Sequence, residues 1–367
     1  MILNFKKSDF DKARLLLNAK ENNISSAEIY IEYLNNHPLD ISKSDIEALS
    51  KKYPIEKAFY KAFLKKLHIS EDDLEYIEIN SNSLIEKMEL LNQKEYLNNP
   101  YYNLIKNTEI KDNDWIINMQ KYYPFEGFVY DELIIDETYF SEHTPLGFFD
   151  KEFSYPAIIE KDLIWMSIIP HEINTMKEAI NNAKGNVVVF GLGLGYYAYM
   201  ISLKKEVKKI TIIEKDPKVI KIFKDNLLNK FEYKDKINII NEDAFNYINN
   251  CPHYDYAFID IYHNVGDGFI LYLKLKGLEN TCYADRYDYW IETSLLAMLR
   301  RYVLTLYEEK VIYKYSENDY LKAKNENDEI INKLYHHLKD YQFNSYDEFH
   351  DFLKDESLRK LAKELKY

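Results

Sequence analysis

Cysteine and positive charge are both scarce in this sequence. Cys251 and Cys282 are the two cysteines and do not form a CxxC pair, which argues against a disulfide framework and a zinc knuckle. We therefore predict no bound metal and an intracellular, reducing environment. Lys and Arg number 48 against 61 Asp and Glu, a net charge of −13, so a large surface for nucleic acid or an anionic membrane is disfavoured.

Long apolar runs are also missing. None approaches the roughly 18 residues of a membrane-spanning helix, and the first residues, MILNFKKSDF, lack the apolar core of a secretory signal. We expect a cytoplasmic protein that acts on a small-molecule substrate, without a nucleic-acid or membrane partner. A homo-oligomeric state is left open.

The apolar pattern divides the chain into four regions. Residues 1–120 show helical spacing in DKARLLLNAK, KAFYKAFLKKL and SLIEKMELLN, and SEDD at 70–73 is typical of a capping box, which predicts an N-terminal helical domain. Short apolar runs at 121–170 indicate a β or hairpin segment. Apolar strands alternate with helices over 171–317, which predicts an α/β domain with a Rossmann-like, doubly wound sheet. Residues 318–367 are expected to form a C-terminal helical extension.

Three of the 9 glycines in the chain occur in one short stretch, VVVFGLGLGYYAYM at residues 187–200. Gly191, Gly193 and Gly195 follow an apolar strand and precede a helix. Such a turn leaves backbone amides at a helix N-terminus with no Cβ to obstruct a ligand. The pattern indicates a nucleotide-like cofactor, although a tight turn without a ligand would look the same.

Acidic residues follow each of the next three predicted strands. Glu214 comes 19 residues after Gly195, Asp243 and Ala244 follow the third strand, and Asp260 follows the fourth. Each carboxylate alone is typical of a solvated strand end or a helix cap. Their occurrence at three successive strand ends favours a site at the carboxyl edge of the sheet.

These motifs resemble those of the class I S-adenosylmethionine-dependent methyltransferases, and most of all those of the spermidine-synthase-like branch, over roughly residues 140–310. GLGLG is similar to the GxGxG motif, IIEKDPKVI to the ribose-binding strand end and NEDAFNYI to the adenine-binding segment. The apolar Val189, two residues before the first glycine, is also typical of spermidine synthases. The resemblance implies a sheet of order 3-2-1-4-5 and S-adenosylmethionine as cofactor. The cofactor-binding residues that it implies are Gly191, Gly193, Gly195, Glu214, Asp243, Ala244 and Asp260.

The reaction depends on the segment FIDIYHNVGDG, which is similar to the VDSSDPVGP stretch of spermidine synthases. His263 stands where that family has its catalytic aspartate. A neutral imidazole can accept a proton near pH 7, but it does not attract a cationic polyamine as a carboxylate does. We therefore predict a methyltransferase for a small-molecule or protein acceptor, with His263, Asp260 and Tyr262 as candidate catalytic residues. His171 and Glu172 correspond loosely to a substrate-contacting segment of that family, with a purely structural role as the alternative.

Three alternatives remain open at this point. The chain could be an aminopropyltransferase, or a non-catalytic module that binds the cofactor or nothing. An NAD site is the third, because Gly193, Gly195 and Ala198 satisfy G-x-G-x-x-A and Glu214 could bind its ribose. That assignment gives Asp243 no role.

Overall fold

The computed structural model describes residues 1–70, 88–112, 115–161, 163–320, 325–365 and 367. The strands in these residues are β1 (Ile2–Leu3), β2 (Met88–Leu90), β3 (Ile110–Asp112), β4 (Trp115–Tyr122), β5 (Phe128–Val129), β6 (Ile134–Asp136), β7 (Ser141–His143), β8 (Leu146–Phe148), β9 (Phe153–Glu160), β10 (Leu163–Ser167), β11 (Gly185–Phe190), β12 (Val207–Glu214), β13 (Ile237–Asn241), β14 (Tyr256–Ile259), β15 (Tyr287–Tyr289) and β16 (Gln342–Phe343).

Helices come before, between and after these strands along the chain. The described α-helices are Lys7–Asn36, Lys43–Leu49, Ile55–Lys66, Gln93–Leu97, Pro100–Ile105, Pro170–Thr175, Lys177–Asn182, Tyr196–Ser202, Pro217–Asn226, Ala244–Ile248, Val265–Leu278, Glu292–Val311, Glu317–Tyr320, Glu326–Leu338, Tyr346–Phe352 and Asp355–Glu364. Short 3₁₀ turns occur at Leu228–Lys230, Lys234–Lys236 and Glu279–Thr281. No helix in this described part is both long and apolar enough to cross a membrane.

The largest sheet has five parallel strands in the order β13-β12-β11-β14-β15. Its central strand is β11, where Val187 lies opposite Ile210 of β12 and Tyr256 of β14. The VVVF run is fully buried, as expected for a strand covered on both faces. The order 3-2-1-4-5 is therefore confirmed, and the protein is a mixed α/β structure.

The direction of strand addition reverses after β13. Strands β11, β12 and β13 extend toward one edge, and β14 returns to the other side of β11. In open α/β sheets, ligands bind outside the carboxyl ends of the strands at such a reversal. The fold thus brings the ends of β11, β12 and β14 around one crevice.

Strands β2, β3 and β4 correct the prediction of helical structure up to residue 120. Met88–Leu90, in the predicted helix SLIEKMELLN, pairs in parallel with β8, and β4 pairs along its whole length with β9. Long-range pairing overrides the local helical spacing here. Residues 71–73 of the predicted capping box and 83–87 of SLIEKMELLN lie outside the described residues. The division into four regions stays a prediction.

The C-terminal segment packs against the helix Glu292–Val311. Buried Arg300 donates from Nε to the carbonyl oxygen of Leu353 at 2.8 Å, and β1 pairs in parallel with β16. Lys20 of the first helix forms a 2.6 Å ion pair with Glu308 of the same long helix. Both ends of the chain are therefore attached to the element that follows the central sheet.

Candidate active site

The glycine turn begins where β11 ends and approaches the neighbouring strand closely. Gly191, Gly193 and Gly195 all have positive φ angles, of 95°, 50° and 78°. A Cβ built on Gly191 would overlap the backbone carbonyl oxygen of Asp260, just after β14. Glycine is needed at position 191 because this backbone contact leaves no room for a side chain.

Met166 of β10 covers the second glycine, a contact that sequence reasoning missed. A Cβ on Gly193 would overlap the Met166 thioether, and the backbone N–H of Leu194 donates to Met166 Sδ at 3.1 Å. A side chain at residue 193 would therefore meet Met166. No spacing rule relates a hairpin residue to this turn, so the sequence carries no signal for the contact.

Glu214, at the end of β12, braces the same turn. Its Oε2 accepts the N–H of Leu192 at 3.1 Å, and its Oε1 accepts the N–H of Asp216 at 2.8 Å. The side chain is buried, and it lines the crevice. Glu214 therefore fixes the glycine turn relative to the end of β12.

Asp243 caps the helix Ala244–Ile248. Its Oδ1 accepts the N–H of Phe245 at 2.9 Å and the N–H of Asn246 at 3.3 Å, as an N-cap residue does. Asp243 and Ala244 both line the crevice. A cap and a ligand contact are compatible, since a carboxylate has about four lone-pair positions.

A cavity of about 600 Å³ lies at the carboxyl ends of the central strands. It brings together most of the predicted site residues. Those that line it are Gly191, Gly193, Glu214, Asp243, Ala244, Asp260, Tyr262 and His263. Gly195 is not among the lining residues, and it packs behind the turn against the ring of Phe223.

Acidic groups dominate the charged lining of this cavity. Lys215 and His263 are outnumbered by six carboxyl groups, which belong to Glu172, Glu214, Asp216, Glu242, Asp243 and Asp260. Burial, together with repulsion from Glu214, raises the pKa of Asp260 to about 7. Burial and then repulsion from Asp260 raise the pKa of Glu172 well above its usual range. A ligand with positive charge would relieve both repulsions.

His263 and Tyr262 are held by other groups of the protein. His263 Nδ1 lies 3.3 Å from Asp267 Oδ2, and its side chain is 63% exposed, so the imidazole sits at the rim of the cavity. The Tyr262 hydroxyl donates to the carbonyl oxygen of Trp290 at 2.5 Å. Burial raises the pKa of Tyr262 well above its usual range, so this phenol stays protonated and occupied.

Comparison with known proteins identifies a family match for one part of the chain. No curated protein matches the chain. Residues 170–274 match the spermine/spermidine synthase domain. The resemblance found in the sequence is therefore confirmed for this region, which is less than a third of the chain.

Two solved structures are similar to parts of the chain. One is a protein assigned as an O-methyltransferase from Klebsiella pneumoniae, 19% identical over 26% of this chain and 43% of its own, with a TM-score of 0.21. The other is spermidine synthase from Thermotoga maritima, 12% identical over 41% of this chain and 59% of its own, with a TM-score of 0.29. The chain spans about half the length of these structures.

The region that matches the spermine/spermidine synthase domain supplies most of the polar cavity lining. Glu172, Glu214 and Asp260 fall inside it, whereas Met166 and Trp290 come from the preceding hairpin and from the end of β15. The hairpin β9–β10 and the segment after the matched region therefore also contribute to the cavity wall.

Because Gly191 faces backbone and Gly193 faces a side chain, their replacement by alanine should change the stability of the protein in different ways. The left-handed backbone at residue 193 should make Gly193→Ala lower the free energy of unfolding by about 1–2 kcal/mol. The overlap of the new Cβ with Met166 should lower it further. Because Met166→Ala removes this overlap, urea unfolding of the double mutant should reveal coupling between the two changes. Gly191→Ala, which meets backbone, should be more severe and should not couple to Met166→Ala. Coupling at both glycines, or at neither, would contradict these contacts.

Proposed function

We propose that the protein is an S-adenosylmethionine-dependent transferase that moves a methyl group to a small-molecule or protein acceptor. The observation that carries the proposal is the acidic cavity between the glycine turn, Glu214 and Asp243, inside the region that matches the spermine/spermidine synthase domain. Its position at the reversal of strand order supports a ligand site.

The residues around the cavity fit a nucleoside cofactor. We infer that Glu214 accepts hydrogen bonds from the ribose hydroxyls and Asp243 from the adenine amine. Each already accepts two backbone N–H groups and keeps lone pairs for further donors. Ala244, beside Asp243, also lines the cavity.

The charges favour a sulfonium over a dinucleotide. A pyrophosphate needs free backbone amides at the turn, but the N–H of Leu192 is bonded to Glu214 and that of Leu194 to Met166. The six carboxyl groups would repel its two negative charges. The NAD alternative therefore has less support than a cationic cofactor.

Methyl transfer requires little chemistry from the protein itself. S-adenosylmethionine supplies a methyl group already activated by its sulfonium charge. The protein has to hold the acceptor in line with that carbon and exclude water. Trp290, Ile164 and Leu271 provide an apolar part of the cavity wall for this purpose.

Aminopropyl transfer is the second candidate. The match to the spermine/spermidine synthase domain and the excess of carboxylates both favour cationic substrates. His263 in place of the family's aspartate argues against it. A module that binds the cofactor without turnover would share the cavity but would form no product.

Cofactor binding can be tested by isothermal titration with S-adenosylmethionine, S-adenosylhomocysteine and NAD. We expect the first two to bind and NAD to fail. Glu214→Ala should weaken binding by about 1.5–3 kcal/mol, since hydrogen bonds to a charged group are lost. Glu206→Ala, at an exposed residue just before the start of β12, is the matched control and should bind normally. If Glu214→Ala binds S-adenosylmethionine with unchanged affinity, the ribose does not contact Glu214 at the end of β12.

A paired assay separates the two transfer reactions. One arm follows polyamine formation from decarboxylated S-adenosylmethionine and putrescine, and the other follows S-adenosylhomocysteine release across an acceptor panel. We expect turnover only in the second arm, because an imidazole at position 263 does not attract an ammonium group. Robust spermidine formation would reverse this preference. New aminopropyl transfer by His263→Asp would identify that residue as the change of function.

A further inference from the structure

Strand β10 is irregular where it passes the cavity. Four consecutive residues of this strand, 164–167, line the cavity, whereas the side chains of a regular strand point alternately to opposite faces. The pairing with β9 shifts in register between Ile164 and Met166, which leaves Trp165 as an extra residue. Bulges of this kind redirect side chains and are common beside functional sites. The irregularity therefore draws attention to what Met166 does in the cavity wall.

Met166 occupies the surface of the glycine turn. Its sulfur and methyl carbon lie so close to Gly193 that a Cβ there would overlap both. The N–H of Leu194 donates to the same sulfur at 3.1 Å. A thioether is a weak acceptor, and the unbranched methionine side chain adapts readily to new surroundings. A ligand can therefore displace this side chain at little energetic cost.

Strand β10 combines one anchor with a free edge. The ring of Trp165 packs edge-on against Trp115 of β4, with 5.4 Å between the ring centroids. The strand pairs with β9 on one side, and no other strand among the described residues pairs with its second side. Leu163 and Ile164 at its start are 74% and 51% exposed. Few packed contacts permit local movement, so Met166 can change position while Trp165 holds the strand.

The order of the strands determines which part of the cofactor would meet Met166. In the proposed binding mode, the adenine lies at Asp243 after β13 and the ribose at Glu214 at the end of β12. The next strand in the sheet is β11, so the chain that continues from the ribose passes over the glycine turn. That chain carries the sulfonium and the amino acid. The surface of Gly193 that it would meet is the one that Met166 covers.

We propose that Met166 is a gate in the cofactor site: its side chain closes the space over Gly193, and the amino-acid chain of the cofactor binds only after Met166 has moved away. The inference rests on the proposed function and concerns the regulation of that same site. A nucleoside without the amino-acid chain binds at Asp243 and Glu214 and leaves Met166 in place. The closed state therefore lowers the apparent affinity for the whole cofactor but not for the nucleoside.

The test compares S-adenosylhomocysteine with adenosine, which lacks the amino-acid chain. Titration calorimetry should show that Met166→Ala binds S-adenosylhomocysteine about tenfold more tightly than the wild type, as for an open state populated to about one tenth. The affinity for adenosine should stay the same. Leu163→Ala is the matched control, because Leu163 belongs to the same strand, is 74% exposed and is not among the lining residues. It should bind both ligands as the wild type does.

A second measurement uses the wild-type protein and decides the question if Met166→Ala does not fold. With methyl-labelled methionine, the nuclear Overhauser contact between the Met166 methyl group and the N–H of Leu194 reports the closed gate. The 7 methionines of the chain give few methyl signals, and the near-isosteric Met166→Leu assigns the one that matters. We expect the contact to persist with adenosine and to disappear with S-adenosylhomocysteine.

The possible results separate the inference from the function on which it rests. Equal or weaker binding of S-adenosylhomocysteine by Met166→Ala would overturn the gate, and so would a Met166–Leu194 contact that persists with both ligands or disappears with both. Cofactor binding by the wild type would leave the proposed function standing in each of these cases. Absence of S-adenosylhomocysteine binding by both the wild type and Met166→Ala would overturn the proposed function itself.

Discussion

The close approach of Gly191 to the backbone of Asp260 is the constraint on which the site depends. Because no Cβ intervenes, β11 and β14 can end side by side, with the glycine turn directly over the residue that follows β14. The N–H of Asp260 donates to the carbonyl oxygen of Phe190 at 2.9 Å, which continues the parallel ladder to this point. The crevice therefore opens where the ladder stops.

That geometry concentrates negative charge. Glu214 at the end of β12, Asp260 just after β14 and Glu172 from the helix Pro170–Thr175 line one cavity, and their negative charges repel one another there. Backbone N–H groups compensate Glu214, but Glu172 and Asp260 have no such donors in the described residues. The cavity is thereby prepared for a cation, which is the physical link between the fold and the proposed chemistry.

The sequence predicts the sheet and the turn because both depend on local patterns. Apolar strands alternating with helices indicated β11 to β14, and the glycine spacing indicated the turn. The contact of Met166 with Gly193 was not predictable, because it joins a hairpin to a distant loop. His263 lines the cavity as predicted, and Asp267 of the following helix holds its imidazole at the rim. Strand β2 was missed because its pairing with β8 overrides helical spacing.

The most direct test of the central claim is a crystal structure of the protein with S-adenosylhomocysteine. We expect the ligand in the cavity at the ends of β11, β12 and β14, with its ribose hydroxyls on Glu214, its adenine amine on Asp243 and its sulfur near Glu172 and Asp260. An empty cavity at saturating ligand, or a ligand bound elsewhere on the chain, would contradict the account.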